Sequence, residues 1–257
     1  MSFNRGRSLS SAACAGAVTV LVAGCSSAAG DAAARSAESS DPSTTASASV
    51  QPLTAAELAA ALPSNGSLPG YLVTGTPRTS TGGGPSDPDV RPEACRPLWD
   101  ARSGVSVTSV ARAWVAITPS GFAPPTEVLT FAGYGPDRAD AYVGSLDKAL
   151  DACPSLSFVS RNGDRTTADV ERVASPGAVG DATVSFRVHW TVDLDGFESD
   201  TFALITTVRA GAATVTAMSD ISVGSRLSTS KKNAFIPKPD LVMLKSQADA
   251  LREAQAR

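Results

Sequence analysis

The sequence predicts an α+β domain, a single twisted antiparallel sheet with helices packed mainly on one face. Three observations lead there. Residues 183–194 alternate strictly: Val184, Phe186, Val188, Trp190, Val192 and Leu194 interleave with Thr183, Ser185, Arg187, His189, Thr191 and Asp193. A period of two marks a strand with one buried and one wet face. Asp195-Gly196 and Gly211 then punctuate two further strand-like runs, 198–209 and 213–223, as an antiparallel meander would require. Helical stripes come singly, before, between and after the strand groups, which disfavours a doubly wound parallel sheet.

The elements follow in order. Thr54 and Glu57 form a T-A-A-E capping box, with Leu53 and Leu58 placed as a hydrophobic staple and Pro63 closing the short helix. GYLVTG (70–75) reads as a strand, and the Pro-, Gly- and Ser-rich 76–92 as an exposed loop. In 105–117 the odd positions Val105, Val107, Ala111, Ala113, Val115 and Ile117 make one apolar face, and 126–134 supplies the partner of a long-looped hairpin. Asp137 stands as N-cap of a helix whose stripe is Tyr142, Val143, Leu146, Ala149, Leu150 and Cys153, ended by Pro154. Asn162-Gly163 marks a hairpin turn. A last helix runs from about Asp240 to Ala254, with Leu241, Leu244, Ala248 and Leu251 on one side.

Upstream of this domain (54–257) the chain carries an address. Arg5 and Arg7 precede an apolar run, 8–24, too short for a permanent span of roughly 20 residues and shaped like a cleaved secretory signal. Val22-Ala23-Gly24-Cys25 resembles a bacterial lipobox, in which the Cys thiol takes a diacylglyceryl group and a peptidase cuts before it. Residues 1–24 are therefore expected to be a lipoprotein signal peptide and Cys25 the lipidated residue, with palmitate among its acyl chains. Two chains suffice for stable anchoring. Residues 25–53 then form a Ser/Ala/Thr-rich tether, too poor in apolar side chains to offset its ordering entropy and reaching roughly 30 Å as a coil. The expected location is the extracytoplasmic face of the cell membrane, held by lipid. Loss of Arg5 and Arg7 takes the formal charge from −3 to −5, which argues against a nucleic-acid partner.

Four cysteines reduce to one pair. Cys14 leaves with the signal and Cys25 becomes a thioether. Cys95 and Cys153 remain in an exported setting, where a disulfide is the natural inference. Two free buried thiols and half of a metal site are the alternatives, the latter weakened because one His is too little to complete four ligands. No metal or cofactor is expected.

The search for catalysis is mostly negative, and a non-enzyme is expected. His189 lies on the polar face of its strand near Asp193, without a G-x-S-x-G elbow anywhere, and reads as a solvated strand residue. Asp193, Asp195, Glu198 and Asp200 lack an EF-hand loop and read as a polar hairpin. Gly82–84 is not followed by Lys-Ser/Thr and reads as a surface loop rather than a phosphate cradle. Lys231, Lys232 and Lys238 form a small basic stretch, read as a solvated loop in preference to a lipid-headgroup contact.

These pieces together, the lipobox, the tether, PEACRPLW, a helix ending ALDAC, VGDATVSFR and a late VRAG, resemble actinobacterial cell-envelope lipoproteins. Through Cys95, the helix ending at Cys153, Gly180-Asp181 and Val208-Arg209-Ala210-Gly211, the folded part resembles the extracellular sensor domain of mycobacterial PknH-type receptor kinases. That family's sensor domain has two disulfides where this chain can form one, and the chain carries no kinase. The resemblance implies an α+β domain with a central cleft for an unknown ligand. The expected function is a non-catalytic ligand-binding or sensing lipoprotein whose ligand is a small molecule, lipid or cell-wall component. The alternative is a lipid or glycolipid carrier, which needs a large continuous apolar cavity.

Overall fold

The computed structural model describes residues 51–83, 89–120, 127–159, 163–174, 177, 179–194 and 196–257, side chains excepted at Leu194. Asp195, Asn162 and the expected lipidation site Cys25 lie outside them.

The capping box forms as the sequence dictates. Thr54 N–H donates to Glu57 Oε2 at 2.8 Å, the Glu57 N–H returns to Thr54 Oγ1, and both staple leucines are buried. Helix α1 (Ala55–Ala61) ends before Pro63. Strand β1 (Tyr71–Val73) follows, and β2 (Arg78–Thr81) occupies part of the stretch read as a loop. Its isolated four residues carry no apolar alternation. Pairing with β3 (Ala111–Pro119) holds it, a long-range effect that local composition does not report. The same β3 begins later than the alternation suggests: Val107 is 59% exposed in the loop before it. Between them the PEACRPLW segment forms a 3-10 turn (Glu93–Cys95) and helix α2 (Arg96–Arg102), with Pro97 at its first turn.

Strand β4 (Glu127–Gly133) pairs with β3 antiparallel, as expected of the hairpin. Helix α3 (Arg138–Ala152) buries the stripe Ala139, Tyr142, Val143, Leu146 and Ala149. Its N-cap Asp137 sits at φ 58° and its side chain caps nothing. Strands β5 (Ser155–Val159), β6 (Arg165–Arg172), β7 (Ala182–Leu194), β8 (Phe197–Ala210) and β9 (Ala213–Gly224) form a continuous meander, all antiparallel. Short α4 (Thr229–Phe235), which no sequence period announced, precedes α5 (Leu241–Gln255), capped by Asp240 through Met243 N–H at 2.9 Å.

The result is one nine-stranded sheet in the order β1-β3-β4-β9-β8-β7-β6-β5, with β2 beside β1 on the outer edge of β3. The fold is α+β with an antiparallel sheet, as expected. The helices, however, cover both faces rather than mainly one. On one face α1 and α5 pack against β3, β4, β8 and β9 through Leu58, Leu244 and Leu251. On the other, α2 and α3 pack against β6, β7 and β8 through Leu98, Leu146 and Phe186. Strand β8 explains the difference: Ala203 and Ile205 belong to one core, Val208 and Ala210 to the other. A strand buried on both faces reads as a continuous apolar run and does not say which face a helix takes. Both cores close within the one compact unit that holds the described residues.

Cys95 and Cys153 are joined by a disulfide, with S–S 2.12 Å and Cα–Cα 5.8 Å. It ties the start of α2 to the end of α3. Closing a loop of separation 58 is worth roughly 4 kcal/mol in the chain-entropy model.

Candidate functional site: a cleft on the open face of the sheet

Helices α2 and α3 reach only part of their face. Helix α2 stops at Arg102, and the chain reverses through Gly104 at φ +63°, a left-handed conformation that glycine adopts without strain. A Cβ there would lie 2.9 Å from Thr130 Oγ1. Beyond this turn the same face of β3, β4 and β9 is left uncovered, and a cleft of about 550 Å³ opens over it. Its floor comes from the even positions of these strands: Arg112, Trp114, Val128, Thr130, Thr216 and Met218. Cross-strand register explains why they meet: Trp114 pairs with Thr130 and Thr130 with Thr216, one rank across three strands. Arg102 and the 103–105 turn make one wall, and Asp220 lies at the far end.

Two guanidinium groups face this space in different ways. Arg102 is sandwiched between Trp99 and Trp190, its Cζ 4.7 Å from each ring centroid. Arg112 is only 9% exposed. Its Nη1 donates to the Gly104 carbonyl at 2.8 Å, and its Nε is buried without an acceptor. No carboxylate among the described residues pairs with it. Burial pulls its pKa below the usual guanidinium value, yet arginine stays charged in proteins. Tyr134 lies close enough to act on its charge, and burial pushes the Tyr134 pKa up to about 12.

The sequence reading found none of these cleft residues. The signal was present in A-R-A-W-V (111–115): the odd positions form the apolar face, so an Arg and a Trp necessarily share the other face of the same strand.

The residues singled out from sequence lie elsewhere. His189 stands on the opposite face of the sheet from the cleft, stacked on Phe202 at 4.5 Å between centroids. Its neighbours are Asp200, 3.5 Å from Nε2, and Asp169, 3.9 Å from Nδ1, rather than Asp193. The described acids of the β7–β8 hairpin each have a partner of their own. Asp193 accepts from Gly196 N–H at 2.6 Å, Glu198 from the Ser225 hydroxyl at 3.0 Å, and Asp200 is buried. Asp200 accepts from Thr191 and pairs with Lys232, which hold its pKa below the usual carboxylate range. Lys232 therefore anchors α4 to the sheet, leaving Lys231 and Lys238 exposed. Gly82 ends β2, its N–H donating to Val110 O at 2.8 Å. Among the described residues no cluster of three or more His, Cys, Asp or Glu is arranged to hold a metal, and no helix is long and apolar enough to cross a membrane.

The motifs that carried the family resemblance do come together, as a structural lock. Asp181 N–H donates to Arg209 O at 2.8 Å, and the Asp181 carboxylate accepts from Gly211 N–H at 2.6 Å and from Arg252 at 2.8 Å. These partners hold its pKa low. Gly180, at φ +69°, lies against Arg209 O and Val208, where no Cβ fits. Gln255 completes the lock from α5, accepting from Ala212 N–H and donating to Ala210 O, each at 2.8 Å.

No family model matches the chain, and no curated protein matches it. Among solved structures it is similar to an uncharacterised protein of Mycobacterium smegmatis, the ortholog of Rv0999, at 14% identity and a TM-score of 0.34, over 79% of this chain and 93% of that one.

Proposed function

We propose that the chain is a lipid-anchored extracytoplasmic protein whose folded domain binds a small ligand without transforming it. One observation carries the reading: the 550 Å³ cleft on the open sheet face lies within the size range of small-molecule sites and combines apolar and hydroxyl side chains with convergent cations. The only histidine of the chain stands on the other face of the sheet, out of reach of that space. The lipobox at Cys25 supplies the anchor, and the resemblance to PknH-type sensor domains agrees with a binding role.

The test has two arms. Expressed in an actinobacterial host, the full chain is expected in the membrane fraction with an acylated N-terminal Cys25, and Cys25→Ser is expected to abolish that acylation. A thermal-shift screen of fractionated envelope extract against residues 51–257 is expected to raise Tm with at least one fraction. The cleft-filling variant Val128→Trp is expected to lose the shift. A shift that survives in Val128→Trp, or none with any fraction, contradicts the binding role.

A further inference from the structure

The observation that bears furthest is Arg112. A permanently charged group is nine-tenths buried, keeps one neutral carbonyl as hydrogen-bond partner, and has no counter-ion among the described residues. An uncompensated buried charge is costly, and natural interiors pair such charges. Two other partly buried guanidinium groups follow that rule. Arg187 pairs with Glu171 at 2.8 Å and Arg209 with Asp140 at 3.5 Å. Arg112 departs from it beside the cleft.

We propose that the counter-ion is the ligand, and that the cleft takes an amphiphilic carboxylate whose head pairs with Arg112 and whose apolar body lies along Trp114, Val128 and Met218. This rests on the reading of the cleft as a binding site. A single guanidinium suits the two oxygens of one carboxylate, which it can hold with charge-assisted hydrogen bonds. Trp114 stands two residues from Arg112 on the same face of β3, and Val128 and Met218 follow in the next rank, so the floor turns apolar directly beyond the cation. Asp220 occupies the rank beyond Met218. Six residues of strand register separate the Arg112 rank from the Asp220 rank, about 20 Å at the rise of a strand. Arg112 sets a cation at one end of this floor; toward the other stand both Asp220 and the Arg102 guanidinium, the latter held on Trp190 in the rank beyond.

The test is calorimetric titration of residues 51–257 with three probes of one chain length: decanoate, decanol and decyltrimethylammonium, each below its aggregation concentration. Decanoate is expected to bind, and the neutral and cationic probes to bind at least about tenfold more weakly, the factor a charge-assisted hydrogen bond supplies. Arg112→Gln is expected to lose decanoate by about tenfold or more while retaining its fold by circular dichroism, and Arg112→Lys to recover part of the affinity because it restores the charge. Trp114→Leu keeps the charge but removes the ring 5.7 Å from the Arg112 Cζ, and is expected to weaken both decanoate and decanol. Equal binding of decanoate and decanol, insensitive to Arg112→Gln, overturns the carboxylate assignment and leaves the cleft as a site for a neutral ligand. Binding of none of the probes also overturns it, and the extract screen then judges the binding role separately.

Discussion

Strands β3, β4 and β9 show the same three backbones under two opposite conditions. On one face their odd positions, Ala113, Val115, Leu129, Phe131 and Val215, are sealed beneath α1 and α5. On the other, Arg112, Trp114, Val128, Thr130, Thr216 and Met218 line the cleft. Because side chains alternate, neighbouring residues in sequence belong to different environments. The difference teaches that stability and binding are divided residue by residue along these strands, so that either can be disturbed with the other kept.

The largest contrast is expected from truncating neighbours across that divide. Phe131→Ala, on the sealed face, is expected to cost about 3–5 kcal/mol, the usual range for an aromatic core deletion. Met218→Ala, on the open face, is expected to cost roughly 1 kcal/mol or less. Urea unfolding of both variants checks this, and similar losses would break the division between faces. Next in size is the disulfide: Cys95→Ser with Cys153→Ser is expected to lose roughly 4 kcal/mol on the loop-closure account, concentrated on the α2/α3 side. Hydrogen exchange should then rise first in α2 and α3. Gly104→Ala comes third. With φ at +63° and Thr130 Oγ1 only 2.9 Å from the new methyl carbon, it is expected to cost roughly 1–2 kcal/mol and to displace the carbonyl that Arg112 uses. Loss of stability without any change in probe affinity would separate that turn from the cleft.

The smallest effect concerns an acid set into the edge of the sealed face. Glu127 begins β4 near Tyr71, whose hydroxyl donates to Asp240 Oδ2 at 2.9 Å. Burial, and then the Asp240 charge, push the Glu127 pKa up to about 7 from an ordinary 4.5. A raised carboxyl pKa means that the folded state favours the proton, so this contribution to stability is present below about pH 4.5 and is lost as pH rises through 7. Glu127→Gln is accordingly expected to raise Tm at pH 8 by about 2–4 °C and to leave it nearly unchanged at pH 4. A gain equal at both pH values would show that charge is not the cause.

Much of the fold was legible in sequence because its signals are local. The T-A-A-E box, the Asp240 cap, the β7 alternation and the turns at Gly196 and Gly211 each need only a few neighbouring residues to be recognised. What escaped depends on distant partners. Strand β2 exists because β3 pairs with it, and α4 is tied down by Lys232 on Asp200, thirty-two residues away in the chain. The helices divide between two faces because β8 feeds both cores, Ala203 and Ile205 into one and Val208 and Ala210 into the other. The cysteine pair was readable by elimination. The cleft was not, because an Arg inside a strand looks like an outward-facing solubilising residue until burial and the missing counter-ion are seen together.

The most direct measurement is native mass spectrometry of the domain secreted from an actinobacterial host, wild type beside Val128→Trp. The account predicts an adduct on the wild type that the filled cleft abolishes, with the protein component two hydrogens lighter than the reduced chain. A bare wild-type mass, or an adduct that persists in Val128→Trp, would contradict the claim that the open face of the sheet is where this protein does its work.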